Sequence, residues 1–593
     1  MSGPGEFPFE GSRRLTGPNL YFGDCGAVLE ASGSTPAACE EWAARVSAMR
    51  TSLGWPEGPV VARRHASGAS LALAAPEDQL FTATELNEWA WASVVHSTCP
   101  ATGAALHAPG HPAAWDEASA LQTLRHLAAA EVRPELVALM AASAQHDLPA
   151  FCDDELFTLG AGAGSRTWSL ADLPTVEAVP WDTLHDIPTA LVTGSNGKTT
   201  TVRLVAAMGA AHGWILGHSC TDGTFVDGEW LTRGDYSGPA GSRQVLRDPR
   251  VQAAVLETAR GGILRRGIAV RRAEVAVVTN VTPDHFGEYG VHSLDELAEA
   301  KFVVARALSR TGLLVLNADD PTLLRKSADL ACPLAWFALD HAHPRLASHR
   351  RAGGATCGAA QGRLLLHWAG ATHDLGSVFD MPLGAGGAAT YNLSNAAGAA
   401  LAAAAMRVPP VTVAAVLATF GATRRDNPGR LDRWNLAGLR VLMDYAHNPE
   451  GLAGLLEVAG GLRREGRLGL LLGQAGNRED GAIRALAATA VLARPDMVVL
   501  KDLEGYLRGR TPGEVPALLG EELLGRGLPA QHLTTVLDEV SAVDVLLAWA
   551  RPGDVLVLPV HGLAAREHVA SWLDHLGETG WLPGSPLPLP SPT

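Results

Sequence analysis

The run TGSNGKTTT, Thr193 to Thr201, stands between Ala190-Leu191-Val192, which reads as the end of a buried strand, and Val202-Arg203-Leu204-Val205-Ala206-Ala207, which reads as a helix. A glycine turn joining a buried strand to a helix calls for an α/β sheet, with the turn at the carboxyl end of the strand. In such a turn the backbone of Gly194, Ser195, Asn196 and Gly197 converges on phosphate oxygens at the positive end of the helix. Lys198 adds a mobile cation for the outer phosphates, Thr199 can place a hydroxyl on Mg²⁺, and Thr200 continues the turn. Val192 stands five residues before Gly197, where the longer form of this loop has its first glycine, so the loop is a short variant. The segment predicts nucleotide binding.

The bulk composition permits a large multidomain enzyme. With 593 residues, 47% of them hydrophobic and 18% charged, the chain can build three or four domains. A net charge of -15 argues against nucleic acid as a partner, because phosphate binding needs clustered Lys and Arg. The seven cysteines form no CxxC pair, which fits reduced thiols and a cytoplasmic location. No apolar run reaches 18 residues and the first residues lack a basic segment before an apolar one, so neither a membrane span nor a signal peptide is expected.

Composition changes mark the joints. Residues 1–185 are rich in Ala, Trp and His, with one long helix predicted over 118–144 from the apolar spacing of Leu121, Leu124, Leu127, Val132, Leu136 and Leu139. Residues 186–425 alternate short apolar strands with helical stretches, the clearest strands being 251–257, 275–280 and 312–317. A polar hinge over 423–429 leads into a second α/β stretch, 426–582, with strands at 439–444, 468–472, 497–500 and 555–560. The Pro/Ser-rich tail, 583–593, is expected to be disordered.

Three further segments carry polar groups suited to chemistry. Glu257 ends an apolar strand, where a carboxylate facing a ligand crevice could hold Mg²⁺; a helix-capping or solvent-facing role reads equally well from this segment. His285, in Thr279-Asn280-Val281-Thr282-Pro283-Asp284-His285, reads as a metal ligand or as a structural histidine. Lys301 reads locally as a solvated surface lysine of a helix over 294–305.

Taken in order, TGSNGKTTT, the Glu after an apolar strand, TNVTPDH, the following AK, LNADDP (316–321), YNLSNAA (391–397), PGRLD (428–432) and DYAHNPE (444–450) resemble the Mur ligases. ETARGGILRRG (257–267) and DYAHNPEG resemble the Mur-ligase half of the cyanophycin synthetases in particular. The resemblance covers residues 188–480 and implies a Mur-ligase-like central domain with a parallel sheet, followed by a Rossmann-like C-terminal domain and preceded by an α+β domain. RLTGPNLY (14–21) resembles the opening of the cyanophycin synthetases, and HDLPA (146–150) and LFTLG (156–160) resemble the entry to their ATP-grasp domain. Here about 35 residues separate Gly160 from the phosphate loop, too few for an ATP-grasp fold.

The resemblance implies an ATP-dependent ligase that joins a carboxylate to an amine through an acyl phosphate. It places ATP and Mg²⁺ at Lys198, Thr199 and Glu257, a second Mg²⁺ at His285, and Lys301 at a lysine that many Mur ligases carbamylate, its modification here left open. Asn317 would lie near adenine with Asp319 and Asp320 beside it, Arg430 at the phosphates and Asp444 at the ribose, with His447 and Asn448 near the site. ATP would bind in a cleft between the two Mur-ligase domains. An amino acid or short aspartate-type peptide is the implied substrate, and a homo-oligomer is left open. The alternatives are a non-catalytic ATP-binding partner of a separate ATP-grasp ligase and another NTPase; the latter is disfavoured by the lack of a DxxG switch signal.

Overall fold

The computed structural model describes residues 9–98, 116–284 and 286–588. They fall into two compact units, the first made of the described residues up to Phe337 with Ser348–Ala355 and Gly398–Pro409, the second of Ala338–Ala347, Thr356–Ala397 and the described residues from Pro410 onward. The boundary expected at 425/426 falls inside the second unit. There the helix Pro410–Leu417 packs on the strand Ala371–Ser377, and Ala389 and Tyr391 join the core under the helix Pro449–Leu462. Among the described residues no helix is long and apolar enough to cross a membrane.

The first unit opens with a four-stranded antiparallel sheet in the order Phe9–Leu15, Gly26–Ser32, Gly68–Ala74, Val60–His65. The helices Pro36–Leu53, Leu80–Thr98 and Glu117–Glu131 cover it through Trp42, Leu86, Trp89 and Leu124. Thr35 starts the first helix by accepting from the Ala38 N–H, and Gly54 ends it at φ +74°. Buried Asn87 accepts from the Trp42 indole at 2.9 Å and donates to the Leu71 carbonyl at 2.9 Å, so no amide is lost inside.

The single helix expected over 118–144 is two, Glu117–Glu131 and Pro134–Gln145. Pro134 has no N–H and keeps the residue before it out of the helical region; Arg133 sits at φ -135°, ψ 86°. The apolar stripe therefore serves two cores. Leu124 joins Trp42, whereas Leu136 and Leu139 pack with Phe157 and Leu159, and Val132 at the break is 48% exposed. Between Leu159 and Thr189 the described chain forms only the strand Arg166–Ser169 and three single 3₁₀ turns, with no ATP-grasp elements.

The second sheet of this unit runs Leu216–Cys220, Ala253–Glu257, Thr189–Thr193, Ala273–Val278, Leu308–Asn317, Leu334–Asp340, all parallel. A hairpin, Gly223–Val226 and Glu229–Arg233, extends its edge antiparallel. Ala253–Glu257 and Thr189–Thr193 are buried at every residue, as a sheet covered on both faces requires. From Thr189–Thr193 the chain builds one side of the sheet and then the other, so that strand's carboxyl end is a switch point. Strand pairing puts Glu257 beside Val192 and Val278 beside Thr193.

His218, in the Leu216–Cys220 strand, is buried and stacks on Phe225 at 4.5 Å. Burial, reinforced by the nearby Arg203 charge, lowers its pKa to about 3. A depressed folded pKa gives stability that is present above pH 6.5 and lost as pH falls toward 3. Between pH 8 and pH 5 the wild type should lose about 2 kcal/mol more than His218→Gln, as read by chemical denaturation. An equal loss in both proteins would remove this assignment.

The second unit carries a sheet ordered Asp432–Leu436, Leu439–Asp444, Val555–Pro559, Leu468–Leu472, Met497–Leu500, Leu533–Thr535. Only the first pair is antiparallel. Pro449–Leu462, Asp480–Leu492 and Glu514–Gly525 cover one face, and Glu539–Trp549 and Leu563–Glu578 cover the other. Three of its four expected strands have the observed bounds, and the fourth ends one residue early at Pro559. Thr356–Ala360, Arg363–Trp368 and Ala371–Ser377 form an antiparallel meander in the same unit. The tail expected to be disordered is placed over its first part: Leu587 packs against the sheet core and the Pro586 carbonyl accepts from the Trp581 indole. Residues 589–593 lie outside the described residues.

Candidate nucleotide site

The turn after Thr189–Thr193 has the geometry its sequence predicts. Gly194 takes φ +149°, and a Cβ there would lie 1.8 Å from Thr279 Oγ1, so only glycine fits. Gly197 takes φ +82° and starts the helix Lys198–Ala211, four residues before the run from which the helix was expected. A helix that starts at this turn leaves its first N–H groups there without partners inside the helix. Lys198 Nζ lies back over the loop, donating to the Ser195 carbonyl at 3.1 Å.

The segment 279–282 braces this loop, a role that its sequence did not reveal. Ser195 N donates to the Asn280 carbonyl at 3.0 Å and Asn196 N to Asn280 Oδ1 at 2.9 Å. Thr279 Oγ1 donates to the Asn196 carbonyl at 2.6 Å, and Ser195 Oγ both accepts from Thr282 N at 3.0 Å and donates to the Thr282 carbonyl at 3.1 Å. The brace is itself held from the next strand. Asn317 Nδ2 donates to the Thr279 carbonyl at 3.0 Å while its Oδ1 accepts from Asp319 N. Asp320 accepts from Val281 N at 2.6 Å and caps the helix Pro321–Lys326. Three motifs far apart in sequence thus interlock at one strand edge.

Glu257 is fully buried beside the loop. It accepts from Thr199 Oγ1 at 2.7 Å and from Thr221 Oγ1 at 2.9 Å, and makes no capping bond to the helix Arg260–Arg266. Neither the capping nor the solvent-facing reading survives. Thr221, which follows the Leu216–Cys220 strand, is a partner that sequence reasoning missed. A lone threonine after an apolar strand carries no signal of its own. Thr200 is buried in the first helical turn.

Lys301 is not the surface lysine expected locally. It is 2% exposed on the helix Leu294–Phe302, and burial, with the Lys198 charge added, pushes its amine well below the usual lysine range against Asp284 and Asp320. His285 lies outside the described residues.

In the second unit, Arg430, Asp444 and Tyr445 come together. The Arg430 guanidinium lies 4.4 Å over the Tyr445 ring, and Asp444 accepts from Leu431 N at 2.7 Å. Burial raises the Asp444 carboxyl above its usual range, with Arg430 opposing. Asn448 caps the helix Pro449–Leu462 by accepting from Gly451 N, and the His447 carbonyl accepts from Gln474 Nε2. Beneath this loop lies a buried network that the sequence did not announce: Lys501 Nζ bonds Glu539 and, at 2.9 Å, His561 Nδ1, while His561 Nε2 bonds the Ala446 carbonyl at 3.0 Å. The ammonium can only donate to Nδ1, so Nε2 carries the imidazole hydrogen.

Comparison with known proteins places this architecture. The family model described as Mur ligase middle domain matches residues 192–403, and that described as Mur ligase, glutamate ligase domain matches residues 429–559. Cyanophycin synthetase from Trichormus variabilis is 35% identical over 376 residues, which is 63% of this chain and 41% of that protein. This chain therefore spans well under half the length of that relative. UDP-N-acetylmuramate--L-alanine ligase from Kineococcus radiotolerans is 32% identical over 372 residues, 62% of this chain and 70% of that protein. The structure of E. coli FolC in complex with ADP, without folate substrate, is similar at 19% identity and a TM-score of 0.47, covering 65% of this chain and 89% of that one. With both domain models matched in order, and most of a muramate ligase aligned at this identity, the chain belongs to the Mur ligase family.

Proposed function

We propose that this protein is an ATP-dependent ligase that forms an amide bond between a carboxylate and an amine through an acyl phosphate. The acceptor is an amino acid or an aspartate-type peptide related to cyanophycin. The observation that carries this reading is the Glu257 carboxylate, buried and 2.7 Å from the Thr199 hydroxyl, at the mouth of a phosphate loop that ends in Lys198. These two oxygen donors suit Mg²⁺. Among the described residues no three His, Cys, Asp or Glu side chains form a protein-only cage, and Mg²⁺ shared with nucleotide phosphates requires none. When bound, Mg²⁺ would neutralise charge on the transferring phosphates.

The loop N–H groups and Lys198 hold the phosphates in line for attack and offset the charge that gathers there. An acceptor carboxylate oxygen bonds to the γ-phosphorus, the bond to the bridging oxygen breaks, and ADP leaves. A neutral amine then bonds to the acyl carbon, phosphate leaves, and the amine proton passes to solvent. His285 is assigned to a second Mg²⁺ nearer the acceptor carboxylate. The enclosed amine of Lys301, its pKa pushed down by burial and by the Lys198 charge, supports a carbamate at that position: the neutral amine would bond to CO₂, release one proton and add one carboxylate. Arg430 and Asp444 are assigned to nucleotide contacts.

ADP release should require both a carboxylate and an amine, and a screen of paired amino acids and dipeptides, with mass spectrometry of the products, checks it. Nucleotide binding without any such turnover would favour the non-catalytic partner instead. The chain from Gly160 to Pro188 holds no ATP-grasp elements, so one kind of amide bond is expected. Aspartate and arginine supplied with a short cyanophycin primer should add at most one residue per chain end. Long alternating polymer from the pure protein would overturn this.

A further inference from the structure

Helices cover one face of the N-terminal sheet through Trp42, Leu86 and Leu124. Alternation along the strand Val60–His65 turns Val61, Arg63 and His65 to the opposite face, where Val61 packs with Val28 and Ala72. Arg63 and His65 both meet one segment of the nucleotide-binding part of the unit. Arg63 Nη1 donates to the Gly290 carbonyl at 2.9 Å, and Nη2 lies 3.4 Å from Glu299 and 3.7 Å from Glu296 on the helix Leu294–Phe302. Gly290 takes φ +67°, and a Cβ there would lie 2.5 Å from the His65 ring, so the backbone rests directly on that ring. Ser67 Oγ bridges His65 Nδ1 at 3.1 Å and His292 Nε2 at 2.9 Å, and the two imidazoles stack at 5.6 Å.

The gripped segment joins two parts of the nucleotide site. It leaves the brace 279–282 through Asp284, whose charge reaches the Lys301 amine, and it ends at Ser293, which caps the helix that carries Lys301. Its own bonds are sparse: Gly287 N donates to the Val291 carbonyl at 2.9 Å, and His292 N to Glu296 Oε2 at 2.8 Å. A loop with two glycines at positive φ has wide backbone freedom, and a fork that holds its carbonyl to carboxylates of the next helix removes it. Lys326 also pairs with Glu299, at 2.8 Å, so the helix keeps a cation without Arg63. What Arg63 alone supplies is the tie from helix to loop.

We propose that Arg63 is a positioning residue of the ligase centre: it ties the Gly290 carbonyl to Glu296 and Glu299 and so fixes the segment after Asp284 relative to Lys301. The proposal rests on the ligase reading and makes the N-terminal domain part of that centre. Hydrogen–deuterium exchange and steady-state ADP release on the full-length chain test it with Arg63→Ala, Arg63→Lys and Arg45→Ala. The last removes an ion pair with Glu41 on the helix Pro36–Leu53, on the other face of the sheet. In Arg63→Ala the Gly287 and His292 amides should exchange about tenfold faster, while those of the helix Lys198–Ala211 keep their rate. Its kcat should fall about 10–100-fold at an unchanged KM for ATP, because the phosphate loop is braced by 279–282 and not by Arg63. Arg63→Lys keeps the charge without the fork and should fall between wild type and Arg63→Ala in both readouts. Should Arg63→Ala fail to fold, Arg63→Lys carries the test with the same signature at smaller size. Arg45→Ala should match the wild type. Unchanged exchange in the segment, a wild-type kcat in the folded Arg63 variants, a KM for ATP that rises to account for the loss, or an equal loss in Arg45→Ala would overturn this proposal and leave the ligase reading standing. A wild type without amide-forming turnover would overturn both.

Discussion

Lys198→Ala should cut ligation about 10³-fold while leaving the fold intact. Among the described residues the side chain joins no hydrophobic core, and its hydrogen bond is to the Ser195 carbonyl at 3.1 Å. The melting temperature without nucleotide should therefore barely change. Turnover is another matter, because the cation is placed to offset charge that grows as the γ-phosphoryl group moves. Removing one such contact costs about 10²–10³-fold in turnover, and a full positive charge stands at the upper end of that range. Steady-state ADP release and circular dichroism on the same preparation separate the two effects. Near-wild-type product formation would mean that the nucleotide site lies elsewhere.

Glu257→Gln should follow with a loss of about 10²-fold in turnover and a shift of the Mg²⁺ dependence to higher concentration. Glutamine keeps the shape and one oxygen for Thr199 or Thr221, so the fold should hold. What it removes is the charge, and with it an anionic ligand beside the Thr199 hydroxyl. Titrating Mg²⁺ at saturating ATP checks the prediction. A variant that turns over normally with an unchanged Mg²⁺ profile would leave Glu257 as a purely structural acceptor for the two threonines. The two substitutions differ in signature: added Mg²⁺ should partly restore Glu257→Gln and should do nothing for Lys198→Ala.

The local pattern of the chain determined the phosphate loop, the strands on either side of it and the strands of the second α/β sheet. These are the features that depend on near neighbours. Gly194 and Gly197 mark backbone that a side chain would obstruct, and short apolar runs such as 468–472 mark strands buried on both faces. The helix break at Pro134 was equally legible, since proline stands in the sequence; the regular apolar spacing obscured it.

Only the tertiary structure decided the rest. Parallel pairing of Ala253–Glu257 with Thr189–Thr193 brings Glu257 to Thr199, 58 residues away, and no local signal carries that register. The same pairing rule sets Thr279 and Asn280 against the loop as its brace. Lys301 shows the limit most directly. Locally it reads as a solvated surface lysine, yet it is enclosed beside Lys198, and enclosure changes the amine from a solvated cation into a depressed-pKa group. Hydrogen-bonding type and backbone freedom belong to a residue and travel with the sequence. Burial and charge environment belong to the packing of distant segments, and they decide what that residue can do.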